Sequence, residues 1–313
     1  MKNISELTDY YYKELFPLLQ KLETDRTNLK HRVIVVGVII GAIAIIIASI
    51  LKSHFEIVIF AYIGIMTILY KSMTKDYTAE FKQGVIKPLI GEIGEKLIYS
   101  QDGYLSELIF ERSTLFNKAD KFSGNDLVRG EVDGVNIEFS DIHAQEKRKN
   151  SKGGSELITI FKGLFIVSEF NKNFIGKTVV LPDSAQGTFG NIIGNWLQSK
   201  NASRDELVKM DSVEFEKEFV VYSSDQIEAR YILSHSLMEK FLQLKNRSQR
   251  RVSISFVGSK IYIAISYDKD LFEPVVFSSL LDHKTAMEYV KTLHLAIGVV
   301  KELKLNEKIW SKK

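Results

Sequence analysis

Two uncharged, strongly apolar runs lie near the start of the chain. Val33 to Leu51 comprises nineteen residues without a charged side chain, and a helix of that length spans the hydrocarbon core of a bilayer. Ile57 to Tyr70 is shorter and reaches spanning length only with its flanks, over 55–73. Because only Lys52-Ser53-His54 separates the two spans, the pattern predicts a transmembrane hairpin over 33–73.

The charges beside these runs predict their orientation. Three basic residues, at 30–32, precede the first run, and two lysines, at 71 and 75, follow the second, whereas the linker contains one lysine. The positive-inside rule therefore predicts a multi-pass protein with both termini in the cytoplasm. A cleaved signal peptide is disfavoured because the first run begins too deep in the chain and is too long. A buried soluble hairpin is disfavoured as well.

The residues before the first run predict an amphipathic helix over 1–32. Its apolar side chains recur at helical spacing, and Pro17 is expected to kink or divide it. This stripe consists of Ile4, Leu7, Tyr11, Leu15, Leu18, Leu22 and Leu29. These apolar side chains must be buried against another surface, either the main domain or a partner chain. A homo-oligomer that forms through 4–29 or through 33–73 is therefore an alternative. The second contact is considered because Gly37 and Gly41 permit close helix packing.

The chain over 77–313 predicts a cytoplasmic α+β domain with a mainly antiparallel sheet and packed helices. Asp133-Gly134 and Gly258-Ser259 lie between apolar strands, and each indicates a hairpin turn. Further strands are predicted at Leu157–Phe170 and Thr178–Leu181, with a polar, mobile loop over His143–Glu156. Helices are predicted from Phe81 to Leu97, from Asp225 with the apolar stripe Ile227, Tyr231, Met238, Phe241 and Leu242, and from Asp282. The fold class is therefore α+β, preceded by an N-terminal helix and a two-helix transmembrane hairpin.

Composition narrows the classes of function. Since there is no cysteine among the 313 residues, disulfides, thiolate metal sites and cysteine nucleophiles are excluded. The net charge is only +3, and no aromatic residues interleave the basic clusters. Both observations argue against nucleic-acid binding.

Catalytic motifs mostly fail on inspection. Gly176-Lys177-Thr178 resembles the end of a phosphate-binding loop, but Asn171 stands where the first glycine belongs, and a strand follows where a helix is needed. Asp141 and His143 are predicted on one face of a strand, where they would serve as metal ligands or as an acid–base pair. No third ligand is identifiable, no cofactor is predicted, and a binding protein is favoured over an enzyme.

Two further groups of polar residues are candidates for specific contacts. The basic residues Lys147, Arg148, Lys149, Arg247, Arg250 and Arg251 are expected either to be solvated or to touch anionic lipid headgroups. Asp225, Glu228 and Arg230 lie at a predicted strand-to-helix junction, where a helix cap and an ion pair would fix the helix against the sheet.

Five short stretches together carry a family resemblance. They are Phe122–Val135, Ile160–Phe165, Phe215–Leu233, Ile261–Ile265 and Leu271–Pro274. Over most of 80–300 the chain thereby resembles the bacterial membrane-anchored family catalogued as domain of unknown function 3137. The resemblance implies a membrane hairpin followed by a cytoplasmic domain, and it supplies no catalytic residues. Members are often encoded beside a LemA-type membrane protein, which implies a LemA-like partner.

The sequence as a whole predicts a module of the bacterial inner membrane that works by binding. Its expected partners are the lipid bilayer and another envelope protein, for which it would act as a scaffold. Two alternatives remain: a membrane-tethered metal-dependent or acid–base hydrolase using Asp141 and His143, and a sensor of lipid or another small ligand.

Overall fold

The computed structural model describes residues 3–51, 55–149, 153–170, 173–183 and 205–303. The chain divides into two compact units. The helical unit comprises Lys2–Leu89 and Phe272–Lys291, and the sheet unit comprises Ile90–Leu271 and Thr292–Lys313. The domain boundaries at 32, 73 and 77 stay predictions.

Helices precede and follow a stretch in which strands predominate. The helices are α1 (Ile4–Lys13), α2 (Phe16–Leu51), α3 (Phe55–Phe81), α4 (Lys87–Ile93), α5 (Glu107–Arg112), α6 (Val213–Glu216), α7 (Gln226–Ile232), α8 (His235–Ser248) and α9 (His283–Glu302), with a π-helical turn at Lys82–Ile86. The strands are β1 (Leu97–Ser100), β2 (Lys121–Val132), β3 (Val135–Lys149), β4 (Ser155–Glu169), β5 (Lys177–Pro182), β6 (Glu206–Val208), β7 (Phe219–Ser223), β8 (Val252–Val257) and β9 (Lys260–Ser266). Two long apolar helices followed by a sheet with helices confirm the predicted fold class.

The nine described strands form one sheet in the order β1-β2-β3-β4-β9-β8-β5-β7-β6, and the paired neighbours are antiparallel. Asp133 and Gly134 have φ values of 50° and 82°, which is the left-handed pair that a type I′ turn requires. Gly258 has a φ of 63° and begins the turn between β8 and β9. Both predicted hairpins are therefore confirmed.

Apolar side chains cover both faces of this sheet. On one face, Phe110 stacks on Phe116 and contacts Phe165, at ring-centre distances of 5.1 and 5.2 Å. On the other, Phe241 of α8 contacts Phe256 of β8 at 6.2 Å.

The strands β4 and β9 approach each other closely at Gly163. This residue has a φ of +139°, and a Cβ added to it would collide with the carbonyl oxygen of Ile265. Only glycine fits there, which accounts for the glycine in the stretch Ile160–Phe165.

In the helical unit, the predicted N-terminal stripe is buried. The buried members are Leu7, Tyr11, Leu15, Leu22 and Leu29, together with Leu19. The chain is divided just before Pro17, as expected, because α1 ends at Lys13 and α2 begins at Phe16. Tyr11 donates a hydrogen bond to the Leu280 carbonyl at 3.1 Å, so the C-terminal part of the same unit covers the stripe.

The glycine pair of the first apolar run packs against the second apolar helix. The Tyr62 hydroxyl donates to the Gly37 carbonyl at 3.4 Å, and a Cβ at Gly41 would lie 3.7 Å from the Tyr62 ring. The two glycines thus let α2 and α3 approach each other within one chain. The predicted linker Lys52-Ser53-His54 lies outside the described residues.

Three predicted elements are wrong. Most of the expected loop over His143–Glu156 belongs to β3 and β4, because residues 143–149 pair along their whole length with β4. The helix expected to reach Leu97 ends at Ile93, and Leu97 begins β1. The helix after Asp225 breaks at Ser234, which caps α8, and Ile227 and Tyr231 on α7 are exposed to 81% and 56% instead of buried.

Candidate functional site

The predicted pair Asp141 and His143 lies on β3 in the sheet unit. Asp141 is only 4% exposed, and its Oδ2 accepts a hydrogen bond of 2.7 Å from the backbone N–H of Leu271. Its Oδ1 is buried without a hydrogen-bond partner among the described residues. The carboxyl group of Asp141 thereby holds Leu271, the last residue of the stretch Ile90–Leu271 of the sheet unit.

The surroundings of Asp141 favour its neutral form. Burial raises the pKa of Asp141 to about 7, and the negative charges of Asp270 and Asp126 add to this effect against the opposing hydrogen bond from Leu271 and the charge of Lys162. A pKa near neutrality suits proton transfer. The Oδ2 atom, however, is engaged by a backbone N–H, so the arrangement supports a structural role for this carboxyl group.

His143 lies nearer to solvent than Asp141. Its Nε2 is 3.0 Å from the Thr159 hydroxyl, and burial lowers its pKa, with the charges of Lys162 and Lys121 acting in the same direction. Within the described parts of the chain, no group of three His, Cys, Asp or Glu side chains is placed to hold a metal ion. The described residues therefore provide no third ligand to join this pair.

The junction residues Asp225, Glu228 and Arg230 have three different contacts. Asp225 caps α7, because its Oδ1 accepts from the N–H groups of residues 227 and 228, both at 2.9 Å. Arg230 donates to the backbone carbonyl of Lys209 at 3.3 Å. The carboxylate of Glu228 accepts from the N–H groups of Ile175 and Gly176, at 3.1 and 2.9 Å.

The contact of Glu228 determines whether the turn Gly176-Lys177-Thr178 could bind a phosphate group. In a phosphate-binding loop, such backbone N–H groups would face the anion. Here a carboxylate of the same chain occupies them, and Lys177 begins β5. The turn is a structural junction that joins α7 to the sheet.

The basic residues fall into two places on the sheet unit. Arg148 pairs with Glu146 at 2.9 Å, whereas Lys147 and Lys149 on the same strand are exposed. In the second group, Arg250 pairs with Asp268 at 3.1 Å and lies 5.2 Å from the centre of the Tyr267 ring. The other two members, Arg247 and Arg251, are exposed.

A buried polar network in the helical unit was missed by sequence reasoning. Arg26 is 8% exposed, binds Glu23 through two nitrogens at 2.8 and 3.0 Å, and donates to the Val276 carbonyl at 2.7 Å. Glu23 also accepts from the N–H of Leu280 at 3.0 Å. Although burial alone would raise it, the hydrogen bonds from Arg26 and Leu280 hold the pKa of Glu23 below its usual value. We call residues 272–282 the return segment, and this network binds it to α2.

The return segment has a second attachment, through a buried lysine. Lys82 is 1% exposed, and its Nζ is 2.5 Å from Oε1 of Glu273. The Tyr289 hydroxyl donates to the Glu273 carbonyl at 2.8 Å. The sequence carries a signal for these sites, since Arg26 lies between two leucines of the apolar stripe and Lys82 follows an apolar helix face. Charges on an apolar helix face require a buried partner.

The two units define a class of protein, in which an antiparallel sheet module is joined to two apolar helices long enough to cross a membrane. Residues 159–305 match the model of the family described as Protein of unknown function (DUF3137), which confirms the resemblance over that part of the chain. The LemA-like partner stays a prediction.

Comparisons with other proteins add little. A search of curated proteins found no match. Among solved structures, the crystal structure of the mycobacterial trehalose monomycolate transport factor A, TtfA, matches with 12% identity and a TM-score of 0.35, over 67% of this chain and 90% of that one. A similarity of this size carries no functional argument.

Proposed function

We propose that this protein is a membrane-anchored cytoplasmic module of the bacterial inner membrane that binds another envelope protein. The observation that carries the anchorage is the exposure of two apolar helices, since only 6% of the apolar window of each is buried. Ile45, Ile50, Phe60 and Ile68 are 70–74% exposed. Such a surface is unfavourable in water and is expected in contact with lipid chains.

The polar residues beside the apolar stretches support the orientation. Lys71 and Lys75 on α3 and Arg32 on α2 are exposed. Basic residues concentrate on the cytoplasmic side of membrane helices. We therefore assign both termini to the cytoplasm, with the linker at 52–54 on the opposite side of the membrane.

Binding is favoured over catalysis by the contacts of the candidate residues. The buried carboxyl group of Asp141 holds a backbone N–H, and the Gly176 turn is occupied by Glu228. The partner proposed is an envelope protein such as a LemA-type protein, which would meet the sheet unit in the cytoplasm.

The orientation is tested by labelling single cysteines, which is unambiguous because the natural chain contains none. Ser53→Cys marks the linker, and Lys13→Cys and Asp268→Cys mark exposed side chains of the two units. In spheroplasts, an impermeant maleimide is expected to label Ser53→Cys alone, and to label all three after lysis. Labelling of Asp268→Cys in intact spheroplasts would contradict the cytoplasmic assignment.

The binding role is tested by native mass spectrometry of the full-length protein, extracted gently from its own membranes. We expect a mass surplus that resolves, on dissociation, into a second polypeptide. A monomer or a homo-oligomer as the only species, after extraction in several mild detergents, would count against the binding role and leave the anchorage untouched.

A further inference from the structure

The hairpin of β3 and β4 extends beyond its neighbours in the sheet. β2 begins at Lys121, which pairs with Gln145, and β9 pairs with β4 only from Gly163 to Glu169. Residues 146–149 and 155–158 pair only with each other among the described strands. We call these residues the ribbon. A two-stranded ribbon has two open faces, and the two faces differ here in charge.

One face of the ribbon carries more negative than positive charge, because Arg148 is accompanied there by Glu146 and by its cross-strand neighbour Glu156. Arg148 and Glu146 pair at 2.9 Å, and both side chains are about two-thirds buried or more. Ile158 lies opposite Glu146 on this face and is partly buried. The residues that follow on the same side, Ala144 and Phe161, belong to the aromatic core. This face therefore continues the interior of the sheet unit.

The opposite face, which we call the basic face, carries Lys147 and Lys149 with Leu157. Lys147 pairs in register with Leu157, and Lys149 with Ser155. All four residues are exposed, and Leu157 is 46% exposed. Among the described residues neither lysine forms an ion pair, and the nearby Asp120 accepts from the backbone N–H of Lys147 at 2.7 Å. An apolar side chain flanked by two exposed lysines has the chemistry of a surface that inserts at the lipid headgroup region.

We propose that the basic face of the ribbon docks on the headgroups of an anionic lipid bilayer. The proposal rests on the membrane anchorage proposed above, because the anchor keeps a bilayer at high effective concentration. Each lysine near an anionic surface strengthens binding about fivefold, and the pair about 25-fold. Arg148 takes no part, since its charge is paired on the other face.

A nucleic acid fits the same surface less well. The ribbon offers no aromatic side chain on which a base would stack, since its exposed apolar residue is Leu157. An acidic protein would be attracted by the lysines alone and would gain little from one leucine. An anionic bilayer can contact both the lysines and the leucine of the basic face.

The test uses the full-length protein in lipid nanodiscs, with the single cysteine Ser155→Cys carrying a fluorophore beside Lys149. Lipids with a quencher near the headgroup report proximity. We expect strong quenching when phosphatidylglycerol is present, weak quenching in phosphatidylcholine alone, and loss of quenching in high salt. The double variant Lys147→Gln/Lys149→Gln should lower the ratio of docked to free ribbon about 25-fold.

A matched control removes two exposed lysines elsewhere on the sheet unit. Lys96→Gln/Lys118→Gln changes the net charge equally and should leave quenching unchanged. Equal effects of the two double variants, or no quenching in a chain shown to be inserted, would overturn the docking proposal alone. Failure of the chain to insert into nanodiscs would refute the anchorage as well. Quenching that survives the ribbon variant, or a fluorophore that responds to RNA or an acidic protein and not to lipid, also overturns docking.

Discussion

Replacing Glu273 by alanine is expected to lower the free energy of unfolding by more than an exposed pair contributes and by at most about 3–5 kcal/mol, the loss typical of a fully buried ion pair, because Lys82 is buried whereas the Glu273 side chain is 33% exposed. The Lys82 side chain is 2% exposed and lies 2.5 Å from the Glu273 carboxylate. Without that carboxylate, the buried ammonium group loses this charged contact. Urea unfolding of the full-length protein in detergent, followed by circular dichroism, measures the loss.

Two comparisons make the Glu273 result specific. Glu80 lies at the same distance from Lys21, 2.5 Å, but this pair is exposed, so Glu80→Ala should cost less than about 1 kcal/mol. The double variant Lys82→Met/Glu273→Ala should recover most of the stability, because an apolar side chain fits a buried site without a charge. A loss for Glu273→Ala no larger than that for Glu80→Ala would show that burial does not set the strength of this contact.

Replacing Asp141 by asparagine is expected to stabilise the protein in alkaline solution and to change little in acid. The folded protein raises the pKa of Asp141 from 3.8 to about 7, so it binds a proton more tightly than the unfolded chain does. Stability from this group is fully present below its unfolded pKa and is lost as the pH rises through about 7. The asparagine oxygen can still accept from Leu271, and it carries no charge.

The size and sign of the Asp141 effect follow from linkage. The rise of its pKa corresponds to at most about 4 kcal/mol, which is the limit for the gain of Asp141→Asn at about pH 8. His143 acts in the opposite direction, since its lowered pKa adds stability as the pH rises through the region of 6.5. The variant must therefore be compared with the natural protein at each pH. Thermal unfolding from about pH 3 to about pH 8 measures the difference.

The matched variant for Asp141 is Asp211→Asn, which neutralises an exposed carboxylate of the same unit. Its unfolding curve should follow that of the natural protein across the pH range. A constant difference between Asp141→Asn and the natural protein at all pH values would mean that the charge of Asp141 is not what limits stability.

Local chemistry explains the parts of the fold that the sequence could predict. The turn at Asp133-Gly134 requires two positive φ values, and few residue pairs provide them, so the hairpin is visible in the sequence. The apolar run from Val33 is similarly clear. The break at Ser234 was missed because the apolar pattern on both sides of it fits one continuous helix, and only the capping serine distinguishes two helices from one.

The missed parts depend on contacts between distant residues. The ribbon alternates charged side chains on both faces, which is typical of a loop, and becomes a strand pair because the core end of the hairpin sets its register. Lys82 and Glu273 are separated by 191 positions, so the sequence shows that a buried lysine needs a partner without showing which. The sequence indicates Asp141 as a candidate residue. It does not predict the hydrogen bond to Leu271, because that bond depends on the course of the folded chain.

The return segment has a practical consequence for producing this protein. A version trimmed of everything before residue 77 would keep the contact of Lys82 with Glu273 and would lose Tyr11 and Arg26, which hold the later part of the segment through its backbone carbonyls. The apolar side chains of this region would then face water. Such a fragment is expected to aggregate for reasons unrelated to the sheet, and insolubility after removal of the membrane helices would reveal nothing about the stability of the sheet unit itself.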